Sequence, residues 1–118
     1  MKISTIRELL DAKVISGEEM LDNEVHSACG SDMMSDVLAY VKDQAVLLTG
    51  LLNSQVIRTA VMMDMVCVVF VRDKMPTDDM ISLAEDSGIV VLSTAYRMYD
   101  ACGRLYTGGL GVKGEDHE

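Results

Sequence analysis

The chain alternates between short apolar runs and amphipathic stretches, and from Ala45 onward the order is regular. Ala45 to Thr49 (AVLLT) is apolar and is followed by a turn from Gly50 to Asn53. Asn53 or Ser54 then caps a helix carrying Val56, Ile57, Ala60, Val61 and Asp64. Val66 to Val71 (VCVVFV) is continuous and largely β-branched, without polar alternation, which predicts a strand covered on both faces. Pro76-Thr77-Asp78-Asp79 opens the next helix with carboxylates in its first turn, where they complement the macrodipole, and Gly88 stops it. Ile89 to Leu92 predicts a further strand. Ser93-Thr94 caps a last helix with Tyr96, Tyr99, Cys102 or Gly103, and Tyr106 on one stripe. Residues 45–107 therefore read strand, helix, strand, helix, strand, helix, the order of a parallel sheet with right-handed crossovers.

The first forty residues are less regular. Thr5-Ile6-Arg7-Glu8 reads as a capping box that starts a short helix with Ile6, Leu9 and Leu10 on one face. Ala12 to Ser16 predicts a short strand, and Gly17 begins a polar loop. Glu24 to Cys29 predicts a second strand, broken by Gly30-Ser31-Asp32. Met34, Val37, Leu38 and Val41 then mark a helix at three-and-four spacing. The expected fold is a compact three-layer α/β domain over residues 1–110, its mostly parallel central sheet flanked by helices. The chain is expected to fray from Gly108, with residues 111–118 a flexible acidic tail.

Composition narrows the function classes. A chain of 118 residues suits one domain with a real core. Ten Lys and Arg are scattered against nineteen acids, giving a net charge of −9 and no basic patch for a nucleic-acid partner. The longest apolar run, Met65 to Val71, falls far short of the roughly 20 residues that span a bilayer, so no membrane role is expected. The N-terminus opens without a signal-peptide core, and the expected location is the cytoplasm. Cys29, Cys67 and Cys102 lie more than thirty residues apart, without the spacing of a zinc site, and read as reduced core residues. Ten methionines make an adaptable core, and Met33-Met34 and Met62-Met63-Met65 are candidates for an interface.

Most motifs fail on context. Gly109-Leu110-Gly111-Val112-Lys113-Gly114 matches G-x-G-x-x-G, but dinucleotide binding needs those glycines between a strand and a helix. No phosphate-loop motif is present. His26 and Cys29 fall on opposite faces of an extended strand, which argues against a paired nucleophile and base. Asp32 and Asp36 stand four apart near a helix start, where capping explains them more simply than metal or acid–base chemistry. Position is the better guide, because open α/β sheets bind ligands beyond the carboxyl ends of their parallel strands. Those ends bring forward Thr49, Asn53, Ser54, Arg72, Ser93 and Thr94 as candidate ligand-binding residues. Arg72 supplies the cation, and helix N-termini at Asn53, Thr77 and Thr94 supply N–H groups for an anion.

Several stretches together resemble a DRTGG domain: Ser31-Asp32-Met33-Met34-Ser35-Asp36-Val37, the Leu48-Thr49 strand end with its helix from Asn53, and Val66 to Val71. Gly88-Ile89-Val90-Val91-Leu92-Ser93-Thr94 and Gly103-Arg104-Leu105-Tyr106 extend the likeness over roughly residues 1–110. The resemblance implies a compact α/β accessory domain of the kind found inside phosphate acetyltransferases and beside CBS domains in regulated pyrophosphatases, where such domains look dimerising. It also implies similarity to the N-terminal, non-kinase part of HPr kinase/phosphorylase. The family is named for an Asp-Arg pair after one parallel strand and a Thr-Gly-Gly after the next. Here those places read Gly50-Leu51-Leu52-Asn53 and Val71-Arg72-Asp73, so both signatures are missing. The expectation is a non-catalytic regulatory or interaction module that forms a homodimer or meets another protein, without cofactor or metal. The alternative is a sensor that takes a nucleotide or other small anion at the strand ends.

Overall fold

A computed structural model describes residues 1–40 and 44–111 of the chain. Val41, counted in the helical stripe above, and the Lys42-Asp43 pair lie outside the described residues, as do residues 112–118 with the acidic part of the tail and His117.

Five strands form one sheet in the order β1-β5-β4-β3-β2. They are β1 (Lys13–Ser16), β2 (Ser27–Gly30), β3 (Ala45–Thr49), β4 (Cys67–Phe70) and β5 (Val90–Ser93). The helices are α1 (Ile3–Leu10), α2 (Met34–Tyr40), α3 (Ser54–Met62), α4 (Asp78–Ser87) and α5 (Met98–Thr107). Strands β2 to β5 run parallel and in sequence order, with Leu48 opposite Val69 and Val69 opposite Leu92. Only β1 is antiparallel: Lys13 faces Ser93, and the register shifts between Val14 and Ser16.

Sequential parallel strands joined by crossovers of one hand must carry their helices on one face. Accordingly Val37 of α2, Val56, Ile57 and Ala60 of α3, and Met80 and Ala84 of α4 pack on Leu47, Val68, Phe70 and Val91. The opposite face is covered by Ile3, Ile6 and Leu10 of α1 and Ala101 and Leu105 of α5, packed on Val46, Leu48, Val69 and Leu92. Every residue of β3, β4 and β5 is buried, which explains why these strands read as unbroken apolar runs. The fold is the expected mostly parallel sheet between two helical layers.

Local expectations fare unevenly. Asn53 caps α3, its Oδ1 accepting from Gln55 N–H at 2.9 Å, and Thr77 caps α4 through Met80 N–H. Gly88 closes α4 in the left-handed conformation. The Thr5 capping box does not form, because α1 already begins at Ile3. Its first donors are taken by the loop ahead of β2, Ile3 N–H by the Asn23 carbonyl and Ser4 N–H by that of Leu21, so no side-chain cap is needed.

Val61 is exposed and Asp64 lies past the end of α3. Met34 and Met65 are core residues, whereas Met33 and Met62 face solvent. Nor do Ser93-Thr94 cap α5: Ser93 ends β5, and α5 starts four residues after Thr94, behind Arg97. The tyrosine stripe points outward, with Tyr99 87% and Tyr106 63% exposed, since the buried face of α5 is carried by Ala101 and Leu105. Finally, Leu110 is buried in the α1–α5 core, so the chain stays packed beyond Gly108.

Candidate functional site

The carboxyl ends of β2, β3, β4 and β5 lie side by side, and these ends, the loops that follow them and the first residue of α3 carry every residue put forward as a ligand contact. Most of their polar groups are bound within the chain. At the β2–β3 end, Asp32 Oδ1 accepts from Thr49 Oγ1 at 3.0 Å and from Gly50 N–H at 2.8 Å. Leu51 N–H in turn donates to Thr49 Oγ1 at 3.1 Å. Asp32 is therefore a clamp between two strand ends rather than a cap of α2, and Asp36 does not join it. No local pattern around Asp32 announces partners seventeen and eighteen residues away.

At the β4–β5 end the loop folds back over its neighbour. Arg72 N–H donates to the Tyr96 carbonyl at 2.9 Å and Asp73 N–H to that of Thr94 at 2.8 Å. Ser93 Oγ donates to the Lys74 carbonyl at 2.9 Å. Thr94 is buried, and its hydroxyl donates to the Leu10 carbonyl at 2.6 Å, tying the end of α1 to the end of β5. Asn53 is occupied by its cap, and Ser54 begins α3. Thr94, expected at a helix N-terminus, offers no such donors to an anion.

Arg72 is the exception. It is exposed and makes no ion pair among the described residues. Arg72 and Asp73 both adopt left-handed backbone, with φ of 60° and 57°. This conformation is costly for most side chains and native to glycine. The guanidinium lies over Gly50, where a Cβ would come within 2.6 Å of Arg72 Nη2, so Gly50 must lack a side chain for Arg72 to lie there. The strand ends thus present the Arg72 cation on a strained turn, over Gly50 and Leu51, whose backbone donors are already committed.

A second concavity lies along the outer edge of the sheet, between β2 and α5. It encloses about 620 Å³, with Ala28, Gly30 and Leu48 on one side and Met98, Cys102 and Leu105 on the other. A Cβ at Gly30 would meet Cys102 Sγ at 2.6 Å, so the missing side chain sets how closely α5 approaches. The only sequence signals for this groove are the uncharged Ser-Ala-Cys-Gly strand and the spacing of Tyr99, Gly103 and Tyr106.

The thiols are quiet. Burial pushes Cys67 far above the ordinary thiol range. Burial also raises Cys29, with smaller contributions from Cys102 and Asp36, and it raises Cys102. Among the described residues no three His, Cys, Asp or Glu side chains come together as metal ligands, and no helix is long and apolar enough to cross a membrane.

No curated protein matches the sequence. Among solved structures, the CBS and DRTGG domains of the regulatory region of Clostridium perfringens pyrophosphatase, complexed with the activator diadenosine tetraphosphate, superpose with a TM-score of 0.73 at 12% identity. That match covers 98% of this chain and 51% of the other, so this chain spans about half the length of its structural relative. At this identity the likeness establishes the shared fold. The model of the DRTGG domain matches residues 5–107, the whole of the sheet and nearly all of its helices, and the chain belongs to the DRTGG domain family.

Proposed function

We propose that the chain is a regulatory and interaction module without catalysis of its own, working as a homodimer. The observation that carries this reading is the commitment of the strand-end polar groups. Thr49, Asn53, Ser93 and Thr94 all bond within the chain, as does Asp32, so they stiffen the loops instead of facing a substrate. The related fold in the pyrophosphatase belongs to a regulatory region, which agrees with such a role. Sedimentation velocity of the full chain across concentration tests the dimer. A single species at monomer mass throughout the micromolar range would overturn it.

A second reading, a sensor for a nucleotide or other small anion, is favoured by Arg72 alone. A guanidinium above Gly50 at the ends of parallel strands, without an ion pair among the described residues, is suited to a phosphate. The pyrophosphatase regulatory region holds diadenosine tetraphosphate, and this places dinucleoside polyphosphates first among the ligands to try. Thermal unfolding against these compounds, mononucleotides and phosphorylated metabolites is the test. A ligand at a hundred times its dissociation constant stabilises by about 2.7 kcal/mol. The shift should vanish in Arg72→Ala. A flat response across the set removes the sensor reading and leaves the interaction module.

A further inference from the structure

The two edges of the sheet are unlike. An edge strand offers a row of unpaired backbone N–H and C=O groups, and proteins that stay monomeric guard it with charge, bulges or cover. At β1 the guard is visible in the exposed Lys13 and the register shift between Val14 and Ser16. Strand β2 has neither, and the described residues end beside its start, with Gly111 next to Ser27. The strand reads Ser-Ala-Cys-Gly, holds an unbroken four-residue register with β3, and leaves Ala28 and Gly30 exposed. Beside it runs the apolar groove against α5, with Tyr99 and Tyr106 standing out from the same face.

We infer that a second copy of this chain docks on the β2 edge and its groove, in a two-fold arrangement that sets β2 antiparallel to its mate. This rests on the homodimer reading above and names its surface. Charge favours this face. Each copy carries −9, so two copies repel wherever their faces carry carboxylates, and none of the described residues lining the groove is charged. Shape favours a like copy over an unrelated partner. An isologous contact needs a projection and a hollow on one surface, and here the projecting Tyr99 stands beside the hollow that its two-fold mate would fill. Tyrosine at such a rim brings large contact area with little side-chain entropy to lose. The outward backbone groups of β2, which have no partner strand among the described residues, then pair with those of the mate, and the two sheets become one.

The test is sedimentation velocity of the full chain over a concentration series, with three single variants and one truncation. Tyr99→Ala changes a side chain that is 87% exposed, so it leaves the fold intact. Ala28→Arg brings a charge into the groove. Met62→Ala, on α3, is the control. The expected result is a dimer weakened about tenfold or more by each groove variant and unmoved by Met62→Ala. A dimer indifferent to both groove variants would overturn this surface while leaving the homodimer standing. A monomer at every concentration would overturn both. If ending the chain at Gly111 converts a monomer to a dimer, the edge is covered by residues 112–118 and the inference fails in favour of that segment.

Discussion

Arg72 lies over Gly50 so closely that any Cβ at position 50 would meet its guanidinium at 2.6 Å. The two residues sit at the ends of adjacent strands, and each constrains the other. Because the obstructing atoms are the far end of a flexible, exposed side chain, Gly50→Ala should displace Arg72 rather than unfold the loop. In denaturant titration the Ala variant should lose about 0.5–1 kcal/mol in the native background and nothing in Arg72→Ala. Equal losses in both backgrounds would mean that Gly50 is needed for a reason other than Arg72.

The left-handed pair Arg72-Asp73 gives a prediction of the opposite sign. Glycine holds φ near +60° without the steric cost borne by other residues, though it surrenders more entropy on folding. Replacing both residues by Gly should therefore raise stability by about 1 kcal/mol, most of it at position 72, since Asp tolerates this region better than Arg. Urea unfolding reads the difference. A loss of stability instead would show that the two side chains hold the turn.

Thr94 joins the end of α1 to the end of β5 through a buried hydroxyl. Thr94→Val keeps the shape and strands the Leu10 carbonyl, at a cost of about 1–3 kcal/mol. Thr94→Ser retains the donor and should recover most of that loss. A loss in Ser with none in Val would assign the role of Thr94 to its methyl group.

Cys67 is fully buried and its thiol is raised above its ordinary value of 9.0. The folded chain therefore keeps a proton that the unfolded chain releases near pH 9. The stabilisation is complete below that pH and declines as pH rises above it, by up to about 1.4 kcal/mol per unit for this one group. Stability measured from pH 8 to 11 should fall more steeply in the native chain than in Cys67→Ala. Parallel slopes would mean that the thiol does not titrate on unfolding. In the same way, Cys67 should resist alkylation until the chain unfolds, while Cys29 and Cys102, half-buried, react slowly.

How much of this was legible beforehand depended on the range of the interaction concerned. Runs such as Val66 to Val71 announce a strand buried on both faces, because a parallel strand sandwiched between helices has no polar side to show. Asn53, Thr77 and Gly88 reveal helix ends, because their bonds close within a few residues. The tyrosine stripe gave a face of the last helix without saying which way it turns, because periodicity carries no direction. Ala101 and Leu105, smaller and less conspicuous, mark the buried side of α5. The Thr5 cap failed for a related reason: the loop at Asn23 and Leu21 takes the N–H groups of Ile3 and Ser4, so α1 starts ahead of Thr5 and leaves it inside the helix.

Local pattern thus determined the alternation of elements, the sheet type and the family likeness, all of which rest on short-range periodicity and caps. Strand order, the clamp of Asp32 on Thr49 and Gly50, the anchor of Thr94 on Leu10, and the place of β2 at the sheet edge beside α5 were decided only by the tertiary structure. Each of these joins residues far apart in the chain. Such contacts form because packing both faces of one sheet brings them together, and no neighbouring residue encodes the meeting.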